Sequence, residues 1–122
     1  MRKLILVVED DNDLRETLLD VLDRAGFEVV IAANGEEALA TLESGRPTAL
    51  VLLDLHMPVM DGLEFRRRQL ESIGLSDVPV LVITGDRQGQ SEARRLGFER
   101  FLSKPFGEED LLKSVTESVK PN

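Results

Sequence analysis

The sequence predicts a single doubly wound α/β domain over residues 1–122, a five-stranded parallel sheet with five helices on two faces. Short unbroken apolar runs, Leu4–Val8, Ala49–Leu53 and Val80–Ile83, have the character of strands buried on both sides. Amphipathic stretches with helical spacing separate them, bracketed by capping residues and glycines. The two kinds alternate five times along 122 residues, a length that suits one domain.

Leu4–Val8 is the first strand. Asp13-Leu14-Arg15-Glu16 then reads as a capping box, and Leu14, Leu18, Val21, Leu22 and Ala25 form an apolar stripe ending at Gly26. Phe27–Ala32 is a second strand, and Asn34-Gly35-Glu36-Glu37 caps a second helix with Ala38, Leu39 and Leu42 on its apolar face. The third strand, Ala49–Leu53, stops abruptly at Asp54. Asp61-Gly62-Leu63-Glu64 opens a third helix through about Ile73. Val80–Ile83 ends at Thr84, a weaker helix covers Gln90–Leu96, Arg100–Ser103 is a short fifth strand, and Glu108–Val119 closes the chain as a helix. Met1 and the immediate start of the first strand favour an N-terminal or complete domain.

Composition narrows the function classes. The absence of Cys excludes disulfides, cysteine metal sites and thiol chemistry. No apolar run approaches the ~20 residues that span a bilayer, and Met1-Arg2-Lys3 with the run after it lacks the apolar length and small-residue cleavage site expected of a signal peptide. A cytoplasmic protein without membrane contact is expected. With 15 basic against 23 acidic residues, a net charge of -8, direct nucleic-acid binding by this chain is disfavoured. The one basic run, Arg66-Arg67-Arg68, lies in a helical pattern and reads as a solvated face.

Ligands of such sheets bind beyond the carboxyl ends of the strands, where strand order reverses. Those ends carry Glu9-Asp10-Asp11, Asn34, Asp54, Thr84 and Lys104-Pro105. Carboxylates gathered in one cleft repel by ~4 kcal/mol per pair at 4 Å with an effective dielectric of 20. A cation is the natural remedy, and an all-oxygen donor set favours Mg2+ over a transition metal. Of the acids, Asp11 reads as a cap or loop residue, not as a ligand. No G-x-G-x-x-G or G-x-x-x-x-G-K-[ST] motif supports a nucleotide-binding enzyme.

Glu9-Asp10, Asp54 followed by Met57-Pro58-x-x-Asp61-Gly62, Thr84-Gly85 and Lys104-Pro105-Phe106 resemble the CheY-like receiver domain of bacterial two-component response regulators. The resemblance extends from about Lys3 to Val119. It implies a flavodoxin-like fold with strand order 2-1-3-4-5. It also implies that Asp54 accepts a phosphoryl group from a histidine kinase or phosphotransfer protein. Asp10 and Asp54 would hold Mg2+ directly, Glu9 through water, and the His56 backbone carbonyl would be a further ligand. Lys104 and the Thr84 hydroxyl would meet phosphoryl oxygens, and the Lys104–Pro105 peptide would be cis. The chain would then be no enzyme beyond its own aspartyl phosphorylation and dephosphorylation. Its output would be a downstream protein or output domain. The alternative is a pseudo-receiver that keeps the fold as a scaffold for protein interaction without phosphorylation.

By the same resemblance Thr84 and Phe101 are the switch pair, with Phe101 where many relatives carry Tyr. His56 and Asp86 occupy positions that tune aspartyl phosphate lifetime. The interval from Thr84 to Lys104 is shorter than in the receivers it resembles. Its polar start, with Gly85 and Gly89, predicts a fourth helix that is short or partly disordered.

Overall fold

β1 (Leu4–Val8), β2 (Glu28–Ala32), β3 (Leu50–Asp54), β4 (Val80–Thr84) and β5 (Arg100–Ser103) pair in parallel as one sheet of order β2-β1-β3-β4-β5. Five helices accompany them: α1 (Asn12–Arg24), α2 (Gly35–Glu43), α3 (Gly62–Glu71), α4 (Arg87–Arg95) and α5 (Glu108–Ser118). The structure, a computed structural model, describes residues 2–55, 62–72, 75–85 and 87–121, with backbone alone at 62 and 63. The fold class read from the alternation is the one formed, and the strand order is the one the resemblance implies.

β1, β3 and β4 are buried at every residue, which is why their sequences run apolar without alternation. Side chains alternate across each strand and so supply two cores. Leu6, Val8, Leu53 and Val82 pack with Leu39 of α2, Phe65 of α3 and Ala93 of α4. Ile5, Val7, Leu52 and Ile83 pack with Leu18 and Leu22 of α1 and Leu111 and Val115 of α5. β1 pairs with β2 on one side and β3 on the other, so strand order reverses between β1 and β3. The open crevice of the fold lies beyond their carboxyl ends.

Side-chain acceptors set the starts of α1 and α2, and one differs from its sequence assignment. Asn34 caps α2, its Oδ1 accepting from the Glu37 amide at 2.9 Å, as read from the sequence. The cap of α1 instead lies two residues before the expected one, and the helix begins at Asn12. The Asp11 carboxylate accepts from the Asp13 and Leu14 amides at 2.9 and 3.2 Å, which places Asp13 inside the first turn. Asp11 has extended backbone and stands first in line to meet the free amides, so it takes the role. At the other end Gly26, at φ +98°, makes the left-handed turn that a Cβ disfavours.

α4 is a continuous nine-residue helix that starts three residues before the predicted Gln90. It is short, as one of the two expectations has it, and its glycine-containing start is helical, against the other, partial disorder. Gly89 and Ala93 are the buried face, one turn apart, so burial against the sheet offsets the weak helical preference of Gly.

The basic run also divides. Arg67 and Arg68 are exposed and paired with Glu64, and Arg67 also with Glu71, a solvated face as expected. Arg66 departs from it. Its guanidinium donates to the Leu96 and Gly97 carbonyls, both at 3.3 Å, and to Gln69 Oε1 at 3.0 Å. It also lies 4.8 Å from the Phe98 ring centroid. Buried Gln69 continues the tie, donating to the Leu75 and Val78 carbonyls at 2.7 and 3.2 Å. Together they strap α3 to the chain entering β4 and the chain leaving α4. Arg66→Ala should therefore lower unfolding free energy by about 1–3 kcal/mol in urea titrations, from lost charged hydrogen bonds and ring contact. Arg67→Ala, at an exposed ion pair, should leave it nearly unchanged. Equal effects would return Arg66 to the solvated face.

Candidate functional site

The sheet ladder places the chemistry. β1 is extended by one hydrogen bond, from the Glu9 amide to the Ala32 carbonyl at 3.0 Å, and this carries Glu9 into the crevice. Asp54 is the last residue of β3, opposite Ile83, and Thr84 is the last of β4, opposite Ser103. The Lys104 amide donates to the Thr84 carbonyl at 2.9 Å, which fixes the lysine backbone beside Thr84. Its side chain then reaches across β4 to β3, with Nζ 3.4 Å from Asp54 Oδ2. The Lys104–Pro105 peptide is cis.

Glu9, Asp10 and Asp54 each offer a carboxylate oxygen, all within 4.8 Å of one another. Glu9 is 1% exposed and Asp54 9%, while Asp10 opens to solvent. Three acids thus meet one nearby ammonium, and Lys104 is itself exposed. Glu9 answers this imbalance by holding a proton, its pKa pushed up to about 8. Burial is the main cause, followed by a hydrogen bond to Asp54 and the charge of Asp54; the Asp11 amide and Lys104 oppose it. One Glu9 oxygen accepts from the Asp11 amide at 3.2 Å. The other, Oε1, is buried and accepts no hydrogen bond among the described residues. With Glu9 ionised, Oε1 is an orphaned acceptor within an all-oxygen donor set, which fits a hard divalent cation that Glu9, Asp10 and Asp54 could hold.

Thr84 lies at the crevice wall, 5% exposed. Phe101 is on β5, half-buried, and packs against the core under α2, α3 and α4. The His56 carbonyl, Met57, Pro58, Asp61 and Asp86 lie outside the described residues. Two supporting residues bear on Glu9 in ways the sequence does not signal, although Asp11 reads there as a cap or loop acid. Asp11 closes on Glu9 through its amide while capping α1. Arg15 donates to the Glu9 carbonyl at 3.3 Å and to Asn12, tying the first turn of α1 to the acidic loop.

An open pocket of about 1010 Å³ lies at the opposite, amino-terminal end of the strands, beside Leu4, Leu42, Leu75 and Val78. Its cations are already engaged, Arg2 with Asp23, Arg46 with Glu28 and Lys120 with Asp77. Size and chemistry point to different ends of the sheet, and the unbalanced charge lies at the carboxyl end.

A family model for the response regulator receiver domain matches residues 5–116. The chain is 46% identical over 122 residues to response regulator MprA of Mycobacterium avium (strain 104), a match covering 96% of this chain and 52% of that protein. It therefore spans about half the length of the curated relatives it matches. Chemotaxis response regulator CheY4 of Vibrio cholerae superposes with a TM-score of 0.88 at 32% identity, covering 96% of this chain and 98% of that one. The receiver domain of a signal transduction histidine kinase from Syntrophus aciditrophicus gives 0.85 at 30% identity, covering 94% and 88%.

The buried acids make stability depend on pH in a defined direction. Between the unfolded Glu9 pKa of 4.5 and the folded value of about 8, the folded chain binds a proton that the unfolded chain releases. Metal-free stability attributable to Glu9 therefore falls as pH rises through this window and is flat above it. Glu9→Gln keeps a neutral donor beside Asp54. In chelator it should gain on wild type steadily from pH 5 to pH 8, read by urea midpoints. A constant difference across that range would contradict a shared proton.

Proposed function

The chain belongs to the response regulator receiver family, and from that premise we propose that it is the phosphoacceptor of a two-component system, with residues 1–122 one receiver domain. The observation that carries this reading is the convergence on Asp54 of two further carboxylates and the Lys104 ammonium at 3.4 Å. An Asp54 oxygen attacks the phosphorus of a phosphohistidine on a histidine kinase or phosphotransfer protein. The P–N bond breaks as the O–P bond forms, and the donor imidazole leaves. Phosphoryl transfer needs positioning and charge neutralisation more than covalent help. Glu9, Asp10 and Asp54 would hold Mg2+, which when bound offsets the acids and the incoming phosphoryl oxygens. Lys104 neutralises those oxygens from the β5 side, and the Thr84 hydroxyl donates a hydrogen bond to one of them.

Thr84 and Phe101 are then the switch. As the hydroxyl is drawn to the phosphoryl group, the Phe101 ring turns into the vacated space and remodels the face around α4, β5 and α5. A local charge event thereby biases a two-state element. A downstream protein or output domain reads that face. Because Phe101 lacks a hydroxyl, its contribution to the contact is apolar. The chain catalyses only its own phosphorylation and dephosphorylation. Among the described residues no helix is long and apolar enough to cross a membrane; the receiver reading itself assigns the chain to the cytoplasm.

Intact mass after incubation with acetyl phosphate tests the proposal. Wild type with Mg2+ should gain one phosphoryl group, and both chelator and Asp54→Asn should abolish the gain. Lys104→Ala should keep Mg2+ binding within a few-fold yet lose phosphorylation or its conformational readout. An unmodified wild type under every metal condition would favour a pseudo-receiver acting as a scaffold.

A further inference from the structure

Two guanidinium–phenyl stacks flank the turn between α4 and β5, and they are held in different ways. Arg66 of α3 covers Phe98 with its centre 4.8 Å from the ring centroid, and three hydrogen bonds fix it there. Arg94, in the last turn of α4, covers Phe101 at 5.1 Å. Among the described residues it makes no hydrogen bond and no ion pair. The first stack is a strap; the second is held by the ring alone and can let go.

Its position makes release consequential. Along β5, Leu102 turns to the core under α1 and α5, whereas Phe101 turns to the layer that contains α4. α4 buries only Gly89 and Ala93, with Leu96 partly buried just beyond it, so no large side chain of the helix itself anchors it to the sheet. An exposed guanidinium therefore covers the outer side of a half-buried ring on an edge strand. Such a cover is weak enough for a local event to undo.

We propose that Arg94 is a latch on Phe101, weighting the chain toward its unphosphorylated arrangement and so setting how readily Asp54 is phosphorylated. The proposal rests on the receiver reading and assigns a regulator to the same site. A contact made in one state and lost in the other shifts their equilibrium by its own strength. For an exposed cation–π pair that is about two- to fivefold. The latch is thus an adjustable bias that phosphorylation overrides.

The test is the initial rate of Asp54 phosphorylation by acetyl phosphate at saturating Mg2+, in wild type, Arg94→Ala, Arg94→Lys, Phe101→Leu and the Arg94→Ala/Phe101→Leu pair. The ring resonances of phenylalanine-labelled protein are followed alongside. Arg94→Ala should react about two- to fivefold faster, with Arg94→Lys between it and wild type and Mg2+ affinity unchanged. Its Phe101 signals should move toward those of beryllofluoride-treated wild type. The rate gain should vanish in the Phe101→Leu background, where there is no ring to hold. Loss of a positive charge that merely attracts the anionic donor would slow the reaction instead. An unchanged or slower rate in Arg94→Ala, or an equal gain without the Phe101 ring, overturns the latch alone. Failure of wild type to be phosphorylated overturns the receiver reading and the latch with it.

Discussion

Three carboxylates held within 4.8 Å of one another, two of them buried, are the constraint on which the arrangement depends. Repulsion of this kind is of order ~4 kcal/mol per pair at an effective dielectric of 20. A chain selected only for stability would not keep it. Here the strands leave little freedom, because Glu9 is tied through its amide to β2, through its carbonyl to Arg15 and through Oε2 to Asp11. Held so, the acids can be relieved by a shared proton or by a cation, and Lys104 supplies only part of the balance. Under the proposed reading, a site that folds incomplete in this way takes a metal and an anionic phosphoryl group.

The rest of the molecule divides into a stiff part and a soft part. β1, β3 and β4 are buried throughout, and they carry Glu9, Asp54 and Thr84 at or just past their ends. Close-packed strands hold such groups with little play. The β5 edge is different. There the covering helix contributes small residues, the strand is partly exposed, and one arginine stack is free of other ties. In the proposed reading, chemistry rests on the stiff part and readout on the soft part. The Arg66–Gln69 strap marks the boundary between them by fixing the turn out of α4.

What the sequence made legible follows from the range of each interaction. Doubly buried strands reveal themselves as apolar runs, and their ends as the first polar residue, so Glu9, Asp54 and Thr84 stand out in the sequence, while Lys104, beyond the partly exposed β5, is marked by the proline that follows it. Short-range signals blurred where similar residues compete, as with Asp11 and Asp13 at the start of α1. The start of α4 was missed because its buried stripe is Gly89 and Ala93, which carry almost no hydropathy signal. Arg66 was misread because its partners Leu96 and Gly97 stand about thirty positions away and leave no periodic trace. The neighbours Glu9 and Asp10 look alike in sequence, and only the fold separates the buried one from the exposed one.

The melting temperature of wild type and Asp54→Asn across a Mg2+ titration tests the central claim most directly. A ligand that binds only the folded chain raises stability with the logarithm of its concentration above the dissociation constant. In chelator above pH 8, where Glu9 is ionised, Asp54→Asn should melt above wild type, because one of three repelling charges is gone. Wild type should then climb with Mg2+ while the variant climbs much less. Equal melting temperatures in chelator, with both curves flat, would contradict a site strained by its own carboxylates and completed by a cation.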